Sequence, residues 1–216
     1  MIHKKIIIGI TGMAGSGKDT VRAILEAEHA AHGMACADPM RTMISALFAA
    51  NGIDTRYMLD REFKEQPIPG LGVSYRQMAQ TLGTQWGRDC LDQGIWLRIA
   101  ETKIRDLDWQ RSAAGAYVIS DVRFYNESEW IRAKGGVIWQ VLRVQAAPVR
   151  EHVSESYASS IRPFLTLHNN STVDELRESV REAFIDTVSH IHATPIARKL
   201  VTTTPRSAAH QAGGAA

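Results

Sequence analysis

The chain has 216 residues, 44% of them hydrophobic, and 25 Lys and Arg against 23 Asp and Glu leave a formal net charge of +2. That length supplies one good core, or one core with a small appendage, and a charge so near balance lacks the basic field of a nucleic-acid binder, so a small anionic ligand is expected. Two cysteines are too few for a disulfide framework and carry no clustered zinc partners, no apolar run reaches membrane-spanning length, and no signal-peptide pattern precedes the first strand; a soluble, cytoplasmic protein is expected, with Cys36 and Cys90 as reduced core thiols.

The run Ile6-Ile7-Ile8-Gly9-Ile10-Thr11 reads as a buried strand, followed by a loop with Gly12, Gly15 and Gly17 and a helix that opens at Lys18. The glycines let consecutive N–H groups turn around a polyphosphate, the helix adds its positive N-terminal dipole, and Lys18 supplies a mobile charge. The spacing G-x-x-x-x-G-K-[ST] has one defect, Asp19 in place of the hydroxyl, with Thr20 one residue later. Such an ending suits a magnesium ion held through water and carboxylates, with Thr20 reaching a phosphate.

Residues 18 to about 31 predict an amphipathic helix ended by Gly33, and Met34 to Ala37 a second strand that delivers Asp38-Pro39 to the carboxyl edge of a sheet, where open α/β sheets place ligands. Met40 to Ala50 predicts a helix with an apolar stripe of Met43, Ile44, Leu47 and Phe48, and residues 51 to 72 a loop-rich excursion containing Arg61 and Lys64. Ser74 suits the cap of a helix from Tyr75 to about Cys90, with Tyr75, Met78, Ala79, Leu82 and Trp86 on one side and Arg76, Gln80 and Thr84 on another.

A further helix is expected over about 94 to 108. Ala116 to Ile119 then reads as a central strand tipped by Ser120-Asp121, which makes Asp121 a candidate metal or water partner, with Arg123 just beyond and Glu127 opening a helix to about Lys134. Val137 to Val144 is another buried strand. Residues 145 to 163, with Arg150 and His152, suit a mobile cover over phosphates, and Phe164 to Leu167 predicts a last strand before Asn169 and a helix over about 172 to 191. The composition beyond residue 193 predicts a loosely held tail.

Alternating strands and helices with a phosphate loop after the first strand predict an α/β P-loop kinase-like fold with a central parallel sheet. With Gly-Ser-Gly-Lys-Asp-Thr at 15 to 20, Ala37 to Arg41, Arg76 with Gln80, Leu82-Gly83-Thr84, Trp96, Ile119 to Arg123 and His152 with Ser154-Glu155, the chain resembles the deoxynucleoside monophosphate kinases of tailed phages over residues 5 to about 190. The resemblance implies one kinase domain over 1–192, comprising a core (1–38 and 114–192), a helical acceptor-binding region (39–113) and a lid near 145–163. It implies ATP and Mg2+ held by Gly12, Ala14, Gly15, Ser16, Gly17, Lys18, Asp19, Thr20, Arg150 and Asn169, with Asp19 and Asp121 toward the metal. It further implies a deoxynucleoside monophosphate held by Asp38, Arg41, Arg61, Lys64, Arg76, Gln80, Gly83, Thr84, Arg88, Trp96, Asp121, Arg123 and Glu127, with Lys18, Asp121 and Arg123 as the catalytic set. The implied partners are small-molecule nucleotides, without direct nucleic-acid or membrane contact; a homodimer is left open. The rival readings are a P-loop kinase for another small acceptor, such as dephospho-coenzyme A or a nucleoside, and a nucleotide-dependent switch.

Overall fold

A computed structural model describes residues 6–109, 115–144 and 161–193. Five parallel strands, β1 (Ile6–Thr11), β2 (Ala31–Met34), β3 (Ala116–Ile119), β4 (Val137–Leu142) and β5 (Leu165–His168), form one sheet in the order β2-β3-β1-β4-β5. All four pairings are parallel, with Ile8 beside both Val118 and Val137.

Side chains alternate across a strand, so β1 feeds two cores. Ile6, Ile8 and Ile10 pack with Val21, Ile24 and Leu25 of α1 (Lys18–Glu28) and with Leu176, Val180 and Ala183 of α7 (Val173–Ala193). Ile7 enters the opposite core with Tyr117, Ile119 and Ile138, covered by Trp96, Leu97 and Ala100 of α5 (Ile95–Trp109) and Ile131 of α6 (Tyr125–Ala133). A third, separate cluster joins Ile44 and Phe48 of α2 (Asp38–Ala50), Tyr57 of α3 (Arg56–Leu59), Ile68, and Tyr75 of α4 (Tyr75–Gln80).

Several local expectations change. Gly33 lies inside β2 rather than ending α1, which stops at His29 and turns through Ala30 at φ +47. Gly33 is needed there because its N–H donates to Glu26 Oε1 at 2.9 Å, leaving no room for a Cβ. In α2 only Ile44 and Phe48 of the four-residue stripe are buried; Met43 and Leu47 are 41% and 45% exposed. The excursion at 51–72 contains α3 and closes with a bridge between Pro67 and Ser74. Cys36 is buried as expected, whereas Cys90 is exposed.

The largest departure follows α4. Ser74 Oγ caps the helix by accepting from the Gln77 N–H at 3.2 Å, as its position predicts, but from Thr81 to Leu91 the helix widens to the i→i+5 pattern of a π-helix. Trp86, expected on the apolar side, becomes 41% exposed. Of the lid expected at 145–163, residues 145–160 with Arg150 and His152 lie outside the described residues, as does the tail at 194–216. Among the described residues no helix is long and apolar enough to cross a membrane.

Candidate active site

Three strand tips meet at the carboxyl edge of the sheet. The Val122 N–H donates to Ile10 O at 3.1 Å and the Ser120 N–H to Met34 O at 3.0 Å, so the turns after β3 and β2 are fastened beside the loop that follows β1. Both Asp121 oxygens are committed to this arrangement, accepting from the Cys36 N–H at 2.8 Å and the Ala37 N–H at 2.9 Å. Asp38 likewise holds its own turn, accepting from the Ala35 N–H at 2.8 Å and from Arg41 Nη1 at 3.0 Å.

The loop from Gly12 to Gly17 is held open from outside. Asn169 Nδ2, just past β5, donates to Ser16 O at 2.9 Å, and a Cβ on Gly17, at φ +103, would lie 2.2 Å from that nitrogen. Lys18 Nζ curls over the loop to Gly12 O and Met13 O, both at 2.7 Å. Ser16 Oγ and Thr11 Oγ1 are buried with no hydrogen-bond partner among the described residues. Buried hydroxyls normally find partners, so the unpaired Ser16 hydroxyl, one residue before the N-cap of α1, marks a place for a polar, anionic ligand.

These features fit a nucleoside triphosphate with its divalent cation. No group of three His, Cys, Asp or Glu side chains is gathered among the described residues, so protein ligands to a cation are few. Magnesium keeps several waters and takes one or two carboxylates plus substrate phosphates, which suits Asp19, exposed in the first turn of α1; Asp121, whose two oxygens already accept amides, would meet the ion through water.

Beside the loop a cavity of about 240 Å³ opens between the β2 and β3 tips and the α4–π helix. It gathers Arg41, Lys64, Arg76, Gln80, Gly83, Thr84, Arg88, Trp96, Asp121, Arg123 and Glu127, all named from sequence, and leaves out Asp38 and Arg61. Cys36, Ala37, Met40, Tyr75, Ala79 and Phe124 complete its lining, none of them among the site residues expected from sequence. The spacing of Tyr75 points to the apolar side of its helix, and Phe124 carries no signal beyond standing between Arg123 and a helix start.

The π segment shapes one wall. A Cβ on Gly87 would sit 2.3 Å from the Trp96 ring, and one on Gly83 2.5 Å from Met40 Sδ, so both glycines are needed for close approach. Trp96, 3% exposed, donates from Nε1 to Gly83 O at 2.8 Å, which makes it a fixed wall of the cavity as well as a core residue.

The opposite wall is organised by Glu127. Its Oε2 accepts from the N–H groups of Arg123 at 2.7 Å and Phe124 at 3.1 Å, while Oε1 pairs with Arg88 Nη2 in a fully buried ion pair. Arg88 Nη1 also donates to Gln93 O at 3.0 Å, and the guanidinium lies 3.7 Å from the Phe124 ring centroid. Burial, reinforced by the Asp121 charge, raises the Glu127 carboxyl to about 7 despite the opposing amides and Arg88. Burial, with the same carboxylates nearby, also pushes the Cys36 thiol well up, which makes it inert.

The cations differ in readiness. Arg76 pairs with Glu65 and Arg41 with Asp38, both at the surface. The Arg123 side chain is exposed and has no ion pair among the described residues, so it can turn to a ligand at little cost.

A family profile described as deoxynucleotide monophosphate kinase matches residues 68–180, the stretch from the close of the 51–72 excursion through the β3 tip, β4 and β5 into α7. The chain belongs to this family of phosphotransferases. A putative deoxynucleotide monophosphate kinase of Acanthamoeba polyphaga mimivirus is 31% identical over 184 residues, covering 81% of this chain and 94% of that protein. The deoxynucleoside-5'-monophosphate kinase of Escherichia phage T5 is 35% identical over 102 residues, 44% of this chain and 39% of that protein. The deoxynucleotide monophosphate kinase of Escherichia phage RB69 is 25% identical over 109 residues, covering 50% and 44% respectively. The five-stranded parallel sheet is the fold expected of this family.

Proposed function

We propose that this kinase transfers the γ-phosphoryl group of ATP to deoxynucleoside monophosphates, giving the diphosphates needed as DNA precursors. A phosphate oxygen of the acceptor bonds to the γ-phosphorus, the bond from that phosphorus to the β–γ bridging oxygen breaks, and ADP leaves with the electron pair. The observation that carries this reading is the cationic cavity lined by Arg41, Arg76 and Arg123 at the tip of β3, the strand paired with the β1 that leads into the phosphate loop.

In this mechanism the chain positions and neutralises. The loop amides and Lys18 bind the donor phosphates, and Arg41, Arg76 and Arg123 hold the acceptor phosphate, since a guanidinium can grip two phosphate oxygens at once. Trp96 sets the floor against which sugar and base lie, with Gln80 and Thr84 offering polar contacts and Glu127 holding Arg123 in place. Mg2+, when bound, neutralises charge on the donor phosphates. The third apolar cluster supports treating residues 39–113 as the acceptor-binding region of a single domain.

ADP formation from ATP and magnesium, with each deoxynucleoside and ribonucleoside monophosphate offered separately, tests the proposal. Turnover that requires particular deoxynucleoside monophosphates upholds it; ADP formation indifferent to every acceptor favours a nucleotide switch. Arg123→Ala should lower kcat by about two orders of magnitude or more with an unchanged melting curve, because its exposed side chain supports nothing else. Near wild-type turnover would remove Arg123 from the mechanism.

A further inference from the structure

Arg61 does not line the acceptor cavity. Its guanidinium faces the phosphate loop: Nη2, Nη1 and Cζ lie 3.5, 3.9 and 4.0 Å from the point that a Cβ on Gly15 would occupy. Gly15 itself is exposed, at φ +79, so this guanidinium stands against the loop within reach of solvent. The Arg61 side chain is exposed and makes no ion pair with a described residue, although Asp60, Glu62 and Glu65 are its sequence neighbours. Glu65 is taken by Arg76.

The segment that carries Arg61 is anchored. The Phe63 and Lys64 N–H groups both donate to Asp60 O at 3.1 Å, and the Arg76 N–H donates to Lys64 O at 3.1 Å. The Arg56 guanidinium covers the Phe63 ring at 4.9 Å, and Phe63 meets Tyr57 edge-on, tying the turn to the third cluster. Three residues after Arg61, Lys64 lines the acceptor cavity. One anchored turn thus presents one cation to the loop and another to the acceptor cavity.

We propose that Arg61 is a donor-side residue, whose guanidinium binds phosphate oxygens of the nucleoside triphosphate held in the 12–20 loop. This moves Arg61 from the acceptor set, where the family resemblance put it, to the donor. A fork-shaped cation over the loop neutralises charge where the phosphoryl group departs, a place where such a group contributes most to rate. Because Lys64 and Arg61 share one turn, engagement of the donor also steadies the acceptor wall. The inference rests on the loop binding ATP and is independent of which acceptor is used.

The test combines equilibrium titration of the full chain with a fluorescent ATP analogue and magnesium, and steady-state kinetics, on Arg61→Ala and Arg61→Lys. Arg61→Ala should weaken analogue binding about tenfold and lower kcat at least about thirtyfold, with the deoxynucleoside monophosphate KM within about threefold of wild type. Arg61→Lys should recover most of the binding and little of the kcat, since it keeps the charge and loses the fork. Unchanged analogue affinity, or a rise confined to the acceptor KM, overturns the assignment. A wild-type protein that binds the analogue and phosphorylates no monophosphate refutes the proposed acceptor, while the Arg61 titration still decides its own question.

Discussion

A single buried carboxylate, Glu127, fixes one side of the acceptor cavity. Its two oxygens are occupied by Arg88 and by the amides of Arg123 and Phe124, so it sets the position of Arg123. With its carboxyl raised from 4.5 to about 7 in the folded chain, the protonated form is favoured on folding. The stability this lends is complete below about 4.5 and is lost as pH rises through about 7. Between pH 4.5 and 8, Glu127→Gln should therefore gain on wild type by on the order of 3 kcal/mol in urea unfolding, at 1.36 kcal/mol per unit. A pH-independent difference would mean that Glu127 titrates like an exposed glutamate. Removing the other partner acts differently: Arg88→Met strands a buried carboxylate, with an expected loss of about 3–5 kcal/mol near pH 8 and less near pH 5, where protonation relieves it.

The α4–π helix decides which residues meet at the level of elements. In an α-helix each residue turns about 100°, so side chains four apart drift forward around the axis. In the wider π segment each residue turns less, and the same spacing drifts back. Arg76, Gln80, Thr84 and Arg88 therefore all reach one cavity although they span thirteen residues. The sequence spacing revealed the first three, but a regular helix through Cys90 would not bring Arg88 to them. Gly87 is the pivot, since its carbonyl accepts the closing bond from the Asp92 N–H at 3.0 Å and its missing Cβ admits Trp96. Gly87→Ala should cost about 1–3 kcal/mol through overpacking and raise the acceptor KM more than the ATP KM, with changed tryptophan fluorescence. Wild-type fluorescence and kinetics together would show that the wall can shift freely.

At the scale of the molecule, the sheet and its two helical layers form a platform whose stability is separable from the chemistry at its edge. Trp139 of β4 is fully buried and donates from Nε1 to Thr187 Oγ1 of α7 at 3.0 Å, a link on the far side of the sheet from the acceptor cavity. Thr187→Val would leave the indole N–H unpaired, at a cost of about 1–3 kcal/mol, or a fall of roughly 2–12 °C in Tm for a chain this size. Kinetics at 25 °C should stay at wild-type values. A kinetic change without a thermal one would reveal coupling between α7 and the site.

The phosphate-loop pattern, the parallel sheet and most of the residues lining the cavity proposed for the acceptor are legible along the chain, because each rests on local signals. Glycine spacing, continuous apolar runs and charged residues at strand tips follow from backbone freedom and burial along a few consecutive residues. How those residues divide their work is set by contacts between segments far apart in the chain. Asp121 spends both oxygens on amides brought by a segment more than eighty positions away, Arg88 turns inward to pair with Glu127, 39 positions away, and Gly33 in β2 donates its N–H to Glu26 of the preceding helix. The direction that Arg61 faces is of the same kind: the excursion that carries it folds on its own small apolar cluster, and no pattern within residues 51–72 encodes where that cluster docks against the loop. Which polar group is satisfied by protein and which is left for ligand depends on desolvation and on partners far apart in the chain, and neither is written in local spacing.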